Sequence, residues 1–129
     1  MRTENDIDPA LRTYITSQIL PMYAHFDPAH RTDHVQKVIV ESLAMASRFE
    51  VLPNMVYTIA AYHDVGLVEG REKHHEVSGT MLRSDTQLSK WFSPEQIETM
   101  AQAVEDHRAS AQRPPRSIYG CIVAEADRD

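Results

Sequence analysis

Seven histidines and nineteen carboxylates in 129 residues are where this sequence can do chemistry. Three sites break apolar helical stripes: His34 lies four residues before Val38, His63 four after Ile59 with Asp64 next to it, and Asp127 four after Val123. An aspartate buried alone on such a face costs several kcal/mol unless a positive charge meets it. A divalent metal would answer all these groups together, because neutral imidazole and carboxylate are natural ligands. His107 closes the stripe Ile97, Met100, Ala101 and Val104, where a leucine would be ordinary. His75, four residues before Gly79 and seven before Leu82, shares an inward helical face, with its neighbour His74 as the alternative. The candidate ligands are therefore His34, His63, Asp64, His75, His107 and Asp127, drawn from five helices as a bundle-core site would be. Any one histidine is more often a core or surface residue than a ligand. It is the repetition across five helices that points to a metal.

The elements that must position them read as helices throughout, an all-α fold of about six. The first starts with Asp8 as cap and Pro9 in the first turn, carries Leu11, Ile15, Ile19 and Met22 inward, and is kinked or ended by Pro21. A link from His25 to Thr32 leads to a second helix with Val35, Val38, Ile39, Ser42, Ala46 and Phe49 on one face. Pro53 and Asn54 open a third, with Val56, Ile59, Ala60 and His63 aligned, and Gly66 reads as the residue that closes it. A polar, mobile link, Leu67 to Glu72, precedes a fourth helix over residues 73–83. Ser93-Pro94-Glu95-Gln96 is a capping box for the fifth, with Trp91-Phe92 as a hydrophobic staple before it. Arg113-Pro114-Pro115-Arg116 breaks the chain, and Ser117 caps a last helix with Ile118, Ile122, Val123 and Ala126 inward.

Composition narrows the function classes. One domain accounts for 129 residues, and a chain of this size hides roughly two-thirds of its unfolded surface. With 42% hydrophobic and 25% charged residues, disorder is excluded as the main state. No apolar run approaches the roughly 18–20 residues that span a bilayer, and the first residues lack a signal-peptide pattern. A lone cysteine, Cys121, excludes an internal disulfide framework and fits a reducing, cytoplasmic setting. A net charge of −6 argues against nucleic acid as the partner, while leaving room for a local basic pocket.

The order His34, His63-Asp64, Asp127 resembles the HD-domain superfamily of metal-dependent phosphohydrolases, named for the adjacent His-Asp pair. DPAHRTDHVQKV around His34, AAYHDVG around the pair and IVAEADR around Asp127 carry the likeness, which covers residues 27–128. It implies an all-α bundle in which His34, His63, Asp64 and Asp127 hold a principal metal. In branches with a second ion, two further histidines take part, here His75 and His107, and Asp64 bridges both. The spacing looks like the diadenosine tetraphosphate hydrolases and the cyclic-dinucleotide phosphodiesterases. It departs from the latter because Val65, Gly66 and Leu67 follow the pair, with no lysine after the glycine. Many members continue beyond the last aspartate, so the end at Asp129 reads as a trimmed fragment or a fold closed by a second copy.

The resemblance implies one or two divalent ions (Mn, Fe, Ni, Co, Zn or Mg) and a metal-activated water that attacks a phosphate ester or anhydride of a small nucleotide or related compound. His63 and Asp64 are the catalytic candidates, Asp64 orienting the water. Lys37, one turn after His34, and Arg31 are the candidate phosphate-binding cations, with Arg71, Lys73 and Arg108 as further cations. His30 is a candidate acid for the leaving group. The competing readings are a nucleotide-sensing scaffold without turnover and, in one branch of the fold, oxygen chemistry at a di-iron site.

Overall fold

The computed structural model describes residues 2–27, 31–70, 72–108 and 114–128. Among them helix is the only regular structure, as the three- and four-residue apolar spacing requires. Six α-helices follow in order: α1 (Pro9–Tyr14), α2 (Thr32–Ala46), α3 (Pro53–Tyr62), α4 (His74–Ser84), α5 (Pro94–Glu105) and α6 (Ile118–Arg128). No helix among the described residues is long and apolar enough to cross a membrane.

The Asp8 carboxylate caps α1 by accepting the amides of Ala10 and Leu11. Beyond Tyr14 the coil does not continue as an α-helix to Pro21. It widens into a π turn over Ile15–Ile19, then tightens into a 3-10 segment, Leu20–His25, with Pro21 in its first turn. In an α-helix a four-residue step over-rotates by about 40°, so the stripe Leu11, Ile15, Ile19 would drift off the core. A π turn rotates less per residue and keeps Ile15 and Ile19 inward. In the tighter 3-10 segment that follows, Tyr23 is fully buried, while Met22, expected inward, is only partly covered.

α3 is the central helix. Every residue from Met55 to Tyr62 is buried, which requires neighbours on all sides, and α2, α5 and α6 pack against it. α2 turns Val35, Val38, Ile39, Ser42, Leu43 and Ala46 inward. It ends at Ala46, so Phe49 falls outside the stripe it was expected to complete and is 43% exposed. Ile118, expected inward, is likewise 41% exposed, because it opens α6 at the surface. Both Ser caps form as the sequence indicates: Ser93 and Gln96 exchange side-chain-to-backbone hydrogen bonds at 3.1 and 2.9 Å, and the Ser117 hydroxyl accepts from the Gly120 amide at 3.3 Å. Ahead of the Ser93 cap, Phe92 is buried and Trp91 packs its ring 5.9 Å from that of Tyr14.

Gly66 does not close α3, which ends at Tyr62. It lies inside a 3-10 turn, Val65–Glu69, that takes up the first half of the expected link. Glycine is needed here for closeness: a Cβ would lie 2.1 Å from the His74 carbonyl oxygen and 2.7 Å from the Ser78 amide. Among the described residues the positive-φ positions are Gly70 and Lys73, at φ 105° and 57°, on the way into α4. Gly66→Ala should therefore push α4 away from the turn at a cost of about 1–3 kcal/mol. A thermal melt should show the midpoint lowered by roughly 5 °C or more; an unchanged midpoint would contradict this close approach.

Candidate metal centre

Adjacent residues of a regular helix project about 100° apart and do not face a common point. His63 and Asp64 do so because α3 ends at Tyr62, just before them. His63 keeps helical dihedrals (φ −58°, ψ −28°), while Asp64 leaves the helical path at φ −123° and ψ 11°. The other participants also sit at helix termini. His34 is in the first turn of α2, His74 is the first residue of α4, His107 follows the end of α5, and Asp127 is in the last turn of α6.

Asp64 stands at the middle, 2% exposed. Its Oδ2 is 3.1 Å from His63 Nε2, and its Oδ1 is 3.2 Å from both His74 Nε2 and His107 Nε2. Asp127 Oδ1 lies 2.9 Å from His34 Nε2 and 3.5 Å from His63 Nε2. Two donor groups result, each with its atoms within 4.8 Å: His34, His63, Asp64 and Asp127 in one, and Asp64, His74 and His107 in the other. His63 and His107 each place Nδ1 2.6 Å from the carbonyl three residues back, Ala60 and Val104. A carbonyl only accepts, so a proton is on Nδ1 and it is Nε2 that faces the centre, offering a lone pair whenever it carries no proton of its own.

Those lone pairs decide whether a cation fits. His63 Nε2 is completely buried, close to two carboxylates, and makes no aligned hydrogen bond. Lone pairs facing carboxylate oxygens repel unless a proton or a metal ion stands between them. Burial opposes a proton on His63, but the Asp64 and Asp127 carboxylates outweigh it and push the imidazole up to about 10. Burial would raise Asp64, yet His63, His107 and His74 hold it far below the usual carboxylate range. Asp127 is likewise held low against the opposing effect of burial, chiefly by His34 and His63. Oxygen and imidazole donors around a buried negative centre fit a divalent transition metal.

An HD-domain family profile matches residues 31–129, a span that covers most of the chain and includes all six of these residues. The chain belongs to the HD-domain family. No curated protein sequence matches it. In three dimensions the HD domain described here is similar to the crystal structure of a predicted HD superfamily hydrolase from an uncultured Thermotogales bacterium. The TM-score is 0.79 at 23% identity, over 97% of this chain and 70% of that one. That likeness shows a shared fold and agrees with the all-α reading of the periodicity.

Five of the six expected ligands meet in this HD domain; the sixth position is His74 rather than His75. The reason lies in how α4 is turned. Its buried positions His74, Ser78 and Leu82 recur every four residues, and the Ser78 hydroxyl donates to the His74 carbonyl at 2.7 Å while accepting from the Gly66 amide at 2.8 Å. Gly79, which had suggested His75, is buried against the Glu105 side chain instead, toward α5. His75 is half-buried, belongs to neither donor group, and meets His74 edge-on with ring centres 5.8 Å apart. Ser78 was not anticipated, although its four-residue offset from His74 was visible.

Arg31 and Lys37 stand one turn before and after His34, both exposed, with Lys37 Nζ 3.9 Å from Glu41. Lys73 is exposed in the corner before α4. His30, Arg71, Arg113 and the Arg108 side chain lie outside the described residues. Metal analysis of protein purified without chelator should separate the two histidines. His74→Ala should weaken or remove one bound equivalent, by about 10–100-fold or more in affinity, and His75→Ala should leave the metal content unchanged. The reverse pattern would overturn the assignment.

Proposed function

We propose that the chain is a metal-dependent phosphohydrolase that cleaves an ester or anhydride of a small phosphorylated compound, a nucleotide or a close relative. Membership of the HD-domain family supports hydrolase chemistry in general. The observation that carries the reading is the division of one buried carboxylate, Asp64, between two donor groups. A divalent ion in each group, whether Mn, Fe, Ni, Co, Zn or Mg, would supply Lewis acidity at phosphoryl oxygens and activate water for attack on phosphorus.

The chain's own residues do the rest. Four of the donors, His63, Asp64, His74 and His107, are buried, so fixed dipoles act there with little screening by water. His34 and Asp127, with side chains 22% and 23% exposed, form the side open to solvent. Substrate therefore approaches past α2, where Arg31 and Lys37 attract an anion toward a chain of net charge −6. Asp64 touches both donor groups and orients the attacking water.

Turnover of p-nitrophenyl phosphomonoesters and phosphodiesters with added manganese tests this. Asp64→Asn should lose at least about 100-fold in rate, and Lys37→Ala should raise KM more than it lowers kcat. A metal-loaded protein that hydrolyses no phosphate compound, or an Asp64→Asn variant with undiminished rate, would overturn the hydrolase reading in favour of a binding domain without turnover.

A further inference from the structure

The last carbonyls of any α-helix lack a helical partner. Ala61 carries one of these at the end of α3, and it accepts from the Tyr23 hydroxyl at 2.7 Å. The same hydroxyl oxygen accepts from the Asp64 backbone N–H at 3.1 Å. A phenol is thus inserted where the amide of residue 64 would otherwise close a tight turn onto carbonyl 61, and such insertions bend or end helices. Asp64 leaves the helical path at this point.

The phenol itself is held from several directions. Tyr23 is fully buried, its ring meets Phe26 edge-on at 5.3 Å, and its ring centre is 6.4 Å from that of His63. It is carried by the 3-10 segment Leu20–His25, whose first turn contains Pro21. Were Asp64 to continue the helix, its side chain would point about 100° away from that of His63, and the carboxylate could not serve both donor groups.

We infer that Tyr23 is a positioning residue for the metal centre, holding the Asp64 backbone off the helical path so that its carboxylate divides between the two donor groups. The inference rests on reading those groups as metal-binding. Tyr23 precedes residue 31, outside the stretch matched to the HD domain. The N-terminal segment is then a working part of the site as well as a cover for the core.

The test is Tyr23→Phe in the full chain, which keeps the ring and removes both hydrogen bonds. Tyr14→Phe is the control, since that hydroxyl donates to Asp85 at 2.6 Å, in a separate cluster with Tyr62. In metal-free protein the Asp64 amide of Tyr23→Phe should exchange with deuterium about tenfold faster. Manganese and cobalt affinity should fall by about 10–100-fold, with a changed visible spectrum of the cobalt form. Tyr14→Phe should alter none of these, even if its thermal midpoint falls equally. Tyr23→Phe with unchanged metal affinity and cobalt spectrum overturns the inference, whether or not exchange quickens. Both effects present in a protein that hydrolyses no phosphate would uphold Tyr23 and remove the hydrolase reading; a wild type that takes up no divalent ion overturns both. Should Tyr23→Phe fail to fold, 3-fluorotyrosine at position 23 keeps the hydroxyl while weakening it as an acceptor. It should still quicken Asp64 exchange and shift the cobalt spectrum, and no change in either overturns the inference.

Discussion

A carboxylate with 2% exposure and three imidazole nitrogens within 3.2 Å is the constraint around which this molecule is organised. Burying Asp64 without positive charge would cost more than most single contacts return. Its imidazole neighbours are correspondingly exacting: each must present Nε2 from a particular direction, and they come from the end of α3, the start of α4 and the turn after α5. With α2 and α6 adding His34 and Asp127 beside His63, five segments converge on one site.

Helix termini are what make that convergence feasible. A helix interior shows side chains at fixed 100° steps, whereas a terminus frees the backbone to aim one residue independently. It also leaves carbonyls in need of donors. His63 and His107 meet that need with Nδ1–H on Ala60 and Val104, and the same bonds turn Nε2 toward Asp64. At the start of α4, Ser78 links the His74 carbonyl to the Gly66 amide, so the missing Cβ at Gly66 and the placement of His74 are one fact. Capping and the aiming of these donor atoms are thus the same interactions.

The site is uneven in its exposure to water. Its His63, Asp64, His74 and His107 side is closed, and its His34 and Asp127 side is partly open. A closed side keeps donor dipoles strong; at the open side His34 lies on the helix that carries the exposed Lys37. Arg83 of α4 joins Glu98 and Glu105 of α5, and Arg116 joins Glu105 and Asp106. Pairs this exposed contribute little singly, but Arg116 ties the entry of α6 to the end of α5, the two elements that bring Asp127 and His107 together.

Helical periodicity, the Asp8, Ser93 and Ser117 caps, and the polar interruptions at His34, His63-Asp64, His107 and Asp127 were all legible in the chain. They depend on spacing along one helix, and spacing is a local property. The choice between His74 and His75 was not legible, because both are compatible with an inward face until α4 is rotated against the Val65–Glu69 turn. Gly66 read as the residue that closes α3, but its reason is a backbone eight residues on. Tyr23 continued the four-residue stripe of Leu11, Ile15 and Ile19, yet its hydroxyl contacts lie 38 and 41 residues away. By itself, then, the sequence determined which residue types could gather and on which helices. Only the tertiary structure decided which atoms meet, since rotation about each helix axis is set by contacts between segments far apart in the chain.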